Sequence, residues 1–231
     1  GYPARGWGGE GLSAEETMMI STPLVLSRQT STSSSVALDH ETAEVKICDL
    51  GNACLVECPQ ASQIATRQYR PPESILGVAY DTKADMWSLG CILFELLTGE
   101  YCFDPEQEGD EGIPRDESHL QLMMEMLGPI PKAMLDEGRH TGELFNPDDN
   151  TLRHTKVLGH WGIELLLHKR YDLSREDAKV ATSVLENLLC FDPRKRWSAQ
   201  DLLECKWLSG EQHSLSSSSS AAASSSSSSA A

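Results

Sequence analysis

The sequence predicts a mainly α-helical domain that opens on a short β segment, and three observations carry that prediction. Residues 81–99, "DTKADMWSLGCILFELLTG", repeat apolar side chains at three- and four-residue steps through Met86, Leu89, Ile92, Leu93, Leu96 and Leu97, the period of one helix face. Residues 174–190, "SREDAKVATSVLENLLC", do the same through Val180, Val184, Leu185, Leu188 and Leu189, behind Ser174 with Asp177 three residues on, a weaker form of the reciprocal N-terminal cap. Residues 44–48, "EVKIC", alternate instead, with Val45 and Ile47 pointing inward, as in a half-buried strand.

In chain order, residues 1–43 are rich in Gly, Ser and Thr and hold too little apolar surface to offset the entropy of ordering, so they read as linker. "DLGNA" ends the strand, with Gly51 expected to take backbone angles closed to other residues. Pro59, Pro71 and Pro72 keep residues 59–73 out of regular helix. The 81–99 helix is apolar at Trp87, Cys91 and Phe94 as well, so burial nearly all round is expected, as the spine of the domain with Gly99 as its stop. A second helix through "DESHLQLMMEMLG" ends at Gly128, and Pro129 and Pro131 enforce the break. Residues 138–160 look irregular with a short hairpin, and "WGIELLLHKR" is a further helix. Ser198 is expected to cap a last helix, "AQDLLECKW", that stops near Trp207. Residues 209–231 are a Ser/Ala low-complexity tail.

Between these flanks lie about 165 residues, enough for one core and one domain. The net charge is −16, from 35 acidic and 19 basic side chains. That balance argues against direct nucleic-acid binding and favours a cationic peptide or protein as partner. Seven cysteines, an odd number scattered through apolar runs, do not form a disulfide framework and fit a reducing setting. Cys48, Cys54 and Cys58 lack the close pairing of a zinc site. The sequence has neither a signal peptide nor an 18-residue apolar span, so a soluble protein without a membrane partner is expected. His119, His154, His160 and His168 are too dispersed for a metal or base cluster and read as surface or packing residues; Met123, Met124 and Met126 read as core.

Asp49 sits on a Gly-containing turn after a strand, a position suited to a hard-oxygen ligand of Mg²⁺, although such an Asp can equally satisfy its own loop amides. Glu73 after the proline pair, Asp85 at the start of the apolar helix and Arg196 in "DPRKRWSA" follow in that order. A buried Glu73–Arg196 pair would pin the end of the 49–73 loop to distant helices. Asp85 is placed to accept amides from a neighbouring loop.

Taken together, residues 45–208 resemble the C-terminal lobe of a eukaryotic protein kinase: "DLG" and "PPE" stand where the family has Asp-Phe-Gly and Ala-Pro-Glu, and "DMWSLGCILFELLTG" and "DPRKRWSAQDLLECKWL" match its central and final helices. "KICDLGNAC", "TRQYRPPE" and "GEYCFDPE" with "RDESHL" resemble the serine/arginine-rich protein-specific kinases, whose usual residues before the glutamate differ from this Pro pair. The resemblance implies a protein kinase-like fold, residues 44–208 forming the C-terminal lobe with an insert at about 100–160, the N-terminal lobe lying outside the chain, and residues 1–43 ending a kinase spacer.

It further implies ATP and Mg²⁺ as cofactors. Asp49 would hold the metal, Thr66 would support the catalytic loop, Arg70 would shape the pocket beside the target serine, Glu73 would pair with Arg196, and Asp85 would brace the catalytic loop. The acidic stretch 104–117 has seven acids against Arg115. In the family such an insert docks arginine/serine-rich substrates, with Asp104, Asp116 and Glu117 as the candidates here. The family also implies a monomer, cytoplasmic and nuclear, with no obligatory loop phosphorylation. The catalytic loop, the Gly-rich loop and the ATP-contacting lysine are not in these residues, so the expectation is an active full-length kinase and an inactive isolated chain. The competing readings are a catalytically silent module that docks basic peptides and a proline-directed kinase of the same wider group.

Overall fold

The computed structural model describes residues 46–57, 63–105, 113–157 and 159–208, all within the unit Glu44–Ala231. The expected linker, the Ser/Ala tail, Val45, Cys58, Pro59 and the insert acids Glu106, Glu108, Asp110 and Glu111 lie outside the described residues.

The 81–99 pattern folds as a 16-residue helix, α2 (Lys83–Thr98), and Gly99 closes it in the left-handed region at φ 78°. Its buried side carries Ala84, Met86, Trp87, Gly90, Cys91 and Phe94. The expectation of burial nearly all round is corrected: Leu89, Ile92 and Leu96 are 39%, 41% and 48% exposed. These three share one side of the helix, and among the described residues no element covers it, so hydropathy alone overstated their burial.

Before α2 comes α1 (Pro72–Leu76), which Pro72 starts at a position needing no N–H partner and Gly77 ends at φ 72°. After it come α3 (Arg115–Leu127), α4 (Lys132–Glu137), α5 (Thr141–Leu144), α6 (Ile163–Lys169), α7 (Arg175–Leu188) and α8 (Ala199–Leu203). α4 starts right after Pro131, past the expected break at Pro129 and Pro131, over residues for which the sequence predicts no element. The short hairpin is an antiparallel bridge between Phe145 and Leu152. Ser174 accepts the Asp177 amide at the start of α7, and Ser198 with Asp201 forms a complete capping box on α8. α8 ends at Leu203 and falls short of Trp207.

α7 packs against both α2 and α6. Gly90 permits the α2–α7 approach: a Cβ there would stand 2.9 Å from Leu189 Cδ2 and 3.0 Å from Leu188 Cβ. The core runs from Ile75 and Leu76 through Trp87, Cys91, Phe94 and Phe103 to Leu120, Met123, Leu167 and Leu185.

The strand expected at 44–48 is absent from its described part. Residues 46–49 are unpaired and Ile47 is 90% exposed. A strand needs a neighbouring ladder to satisfy its amides, and none of the described residues supplies one. In the turn that follows, the left-handed residue is Asp49 (φ 59°) and not Gly51.

Candidate substrate-facing site

Residues 63–76 are fastened to the helices at several points. Ala65 turns the chain in the left-handed region (φ 61°), and a 3-10 turn, Arg67–Tyr69, follows Thr66. Ser74 Oγ accepts the Ile64 amide at 3.1 Å, Ser88 Oγ donates to Tyr69 O at 2.9 Å, and Tyr69 OH donates to Glu95 Oε2 at 2.7 Å. Burial and the bond to Glu95 push the Tyr69 phenol well above its ordinary range, so it stays a donor. Arg67 is ion-paired with Asp116 on α3, and Gln68 donates to Asp104 at 3.1 Å.

The far end of the segment is locked by Glu73 and Arg196. Both side chains are fully buried, with Nη1–Oε1 at 2.6 Å and Nη2–Oε2 at 2.9 Å, the two-pronged geometry that suits guanidinium and carboxylate. Arg196 spends its remaining donors on Cys190 O, Lys83 O and Phe191 O and lies 5.1 Å from the Trp87 ring centroid. A charge so buried is tolerated because each donor has an acceptor.

The other expected site residues fall in varied places. Arg70 folds back on its own loop, donating to Ile64 O at 3.2 Å, Ala65 O at 3.1 Å and Gln63 Oε1 at 3.3 Å. Its affinity for its proton is lowered, by burial first and then by Arg67. Thr66 is exposed and starts the 3-10 turn without a side-chain cap. Asp85 is exposed in the first turn of α2. Asp49 lies on an exposed stretch, residues 46–57, that packs against nothing described, so the structure does not bring it to Glu73 and Arg196. Among the described residues no group of three His, Cys, Asp or Glu side chains is arranged to hold a metal. Asp49 is one hard-oxygen donor, and by themselves the described residues do not make a nucleotide or Mg²⁺ site.

One candidate docking acid is corrected. Glu117 is fully buried and accepts from the His154 amide, the Thr155 amide at 2.9 Å and, across 2.8 Å, faces His154 Nδ1. It holds the 154–155 loop to α3 and has no face toward a peptide. Asp116 is ion-paired with Arg67 and keeps 30% of its side chain exposed. Asp104 remains at the surface.

Asp104 belongs to a cavity of about 690 Å³ that the sequence reading missed, between the end of α2, α3 and α6. Glu100, Asp104 and Glu125 line it with the aromatic rings of Tyr101, Trp161 and Tyr171; Lys169 and Arg170 stand on its α6 side. Glu100 accepts from Arg170 at 2.9 Å and from Tyr171 OH at 2.8 Å. The Tyr171 phenol is pushed up to about 12 by burial and by Glu100. Trp161 is 62% exposed, an indole face open to a cationic side chain. Carboxylates and aromatic rings around one groove suit guanidinium groups. The single Trp in "GHWGIE" and Glu100 beside the helix stop were visible in the sequence, but their convergence is tertiary.

His119 completes the site's interior. It is fully buried on α3, 6.0 Å from Phe103 between ring centroids, with neither ring nitrogen hydrogen-bonded. Burial, with Arg67, Arg70 and Arg115 nearby, lowers its pKa to about 3, so it is a neutral packing residue.

A helical domain organised on one apolar helix, with a Glu–Arg lock closing a proline-braced segment, matches the Protein kinase domain over residues 34–208. The human SRSF protein kinase 3 is 41% identical over 166 residues, which cover 72% of this chain and 29% of that protein. Serine/threonine-protein kinase SKY1 of Saccharomyces cerevisiae is 35% identical over 187 residues, 79% of this chain and 25% of the relative. Protein kinase dsk1 of Schizosaccharomyces pombe is 40% identical over 164 residues, 71% and 30% of the two. The chain therefore belongs to the SR protein kinase family of eukaryotic protein kinases, and it spans under a third of the length of these relatives.

Proposed function

We propose that the full-length protein is an ATP-dependent serine/threonine kinase that phosphorylates serines in arginine/serine-rich proteins, and that this chain supplies its substrate-facing helical part. The observation that carries the substrate class is the groove in which Glu100, Asp104 and Glu125 stand beside Tyr101 and Trp161. An arginine-rich strand laid there meets carboxylates, sharing Glu100 with Arg170 and Tyr171 and Asp104 with Gln68, and rings for stacking.

ATP and Mg²⁺ are the cofactors the family uses, and Asp49 is the residue here matching its metal-binding motif; nucleotide positioning and proton handling fall to residues outside the chain. The chain's own contribution is binding and orientation. The Glu73–Arg196 lock fixes residues 63–76, and the groove holds the peptide beyond them. The isolated chain is accordingly inactive and the full-length protein active, a difference read directly in a phosphotransfer assay.

The groove is tested by titrating a fluorescent Arg-Ser repeat peptide into the full-length protein and into its Glu100→Gln/Glu125→Gln variant. Binding should weaken about tenfold and its salt dependence flatten. Equal affinity for both at low salt contradicts the docking assignment.

A further inference from the structure

One stripe of α3 holds the loop that follows the Phe145–Leu152 bridge. Glu117, Gln121 and Glu125 stand four residues apart and so project from the same side of the helix, one turn after another. Each holds a successive point of the loop. Glu117 accepts the His154 and Thr155 amides, Gln121 Oε1 accepts the Thr155 hydroxyl, and Glu125 O accepts the Trp161 amide at 2.9 Å. Gln121 also reaches along the helix, donating from Nε2 to Glu125 Oε1 at 2.9 Å. Glu125 and Trp161 line the groove, whereas Gln121 is half-buried and is not part of its lining.

The chemistry of that junction suits an amide. A carboxylate takes hydrogen bonds and gives none, so the end of residue 121 that faces Glu125 must donate, which leaves its other end to accept from Thr155. Glutamate in its place would set two carboxylates against each other, and leucine would leave Glu125 Oε1 and Thr155 Oγ1 without these partners. A carboxylate held in this way keeps fewer rotamers, so the ordering that a bound arginine would otherwise impose on it is already in place.

We infer that Gln121 is a positioning residue of the groove: it holds the Glu125 carboxylate and, through Thr155, the loop bearing Trp161, in the arrangement that an arginine-rich strand meets. The inference rests on the docking role proposed for the groove. Because Gln121 acts through Glu125 on peptide binding, its loss raises KM for the peptide and spares kcat.

The test follows phosphate transfer from ATP to an Arg-Ser repeat peptide by the full-length protein, its Gln121→Leu and Glu125→Gln variants and the double variant, with urea denaturation on the same samples. Gln121→Leu should raise KM about threefold with kcat unchanged. Glu125→Gln should raise it about fivefold, and adding Gln121→Leu should then raise it by less than about twofold more, because the group that Gln121 positions has changed. If Gln121→Leu does not fold, Gln121→Asn, whose amide is one methylene short of Glu125, gives the same readings. A fall in kcat at constant KM would mean a smaller active fraction, and a role confined to stability would replace the one inferred. Wild-type KM in Gln121→Leu beside a raised KM in Glu125→Gln overturns the positioning role and leaves the docking role standing. Wild-type KM in both, or an intact protein that transfers nothing to the peptide, overturns the docking role and the inference with it. A threefold rise undiminished in the Glu125→Gln background also overturns the inference, since Gln121 would then act by another route.

Discussion

Replacing Glu73 by Ala removes one half of a fully buried ion pair and leaves the Arg196 guanidinium in place, with its two donors to the carboxylate unanswered. Stranding a buried charge in this way costs about 3–5 kcal/mol, against a total of about 5–15 kcal/mol for a folded domain. Arg196→Met strands the Glu73 carboxylate instead and also takes a donor from Cys190 O, Lys83 O and Phe191 O, about 1 kcal/mol each, so it should be the more damaging of the two. Combining Glu73→Ala with Arg196→Met removes both charges and leaves the carbonyl losses. The double variant escapes both stranded-charge costs, about 3–5 kcal/mol each, and should therefore lose about 6–10 kcal/mol less than the sum of the single losses. Urea denaturation, compared at constant m, reads all three values. Single losses under about 1 kcal/mol, or losses that add to within about 0.5 kcal/mol, would show that the pair is not the lock described.

Glu117→Ala should destabilise the protein by about 2–3 kcal/mol, since two backbone amides and His154 lose their acceptor; Arg-Ser peptide affinity of the folded fraction should not change, as denaturation and binding measured on one sample would show. Gly90→Ala forces a Cβ into contact with Leu188 and Leu189 and should cost about 1–3 kcal/mol in the same denaturation assay. His119 has a folded pKa of about 3, depressed from 6.5, so the unfolded chain takes up its proton first. Its neutral form favours the fold above about pH 6.5, and the contribution is lost as pH falls through that window toward 3, at up to about 1.4 kcal/mol per unit. His119→Phe should flatten this acid limb in a pH series of thermal midpoints, whereas an unchanged limb would place the titration elsewhere.

Local order was legible wherever it depends on neighbours in the chain. The period of α2 and α7, the stop at Gly99 and the caps at Ser174 and Ser198 are written in residues three and four apart. The order of motifs also led to Glu73 and Arg196 as partners across 123 positions, and the structure places them in contact. What could not be read locally was which acid faces where. Glu117 stands three residues before Leu120, itself three before Met123, and all three are buried. That spacing signalled an inward carboxylate, which counting negative charges concealed. Asp116 turns the other way and meets Arg67. The strand at 44–48 failed for the opposite reason, since alternation sets a face but cannot supply the neighbouring ladder. The groove was hidden because its walls come from separate segments, around Glu100, Glu125 and Trp161.

The central claim, a kinase that selects serines flanked by arginine, is tested most directly by phosphate transfer from ATP to two peptides by the full-length protein, one of Arg-Ser repeats and one of Ser-Pro repeats. The expected result is transfer to the Arg-Ser peptide, with kcat/KM reduced by Glu100→Gln/Glu125→Gln. Preferred transfer to the Ser-Pro peptide, or none to either, would contradict it.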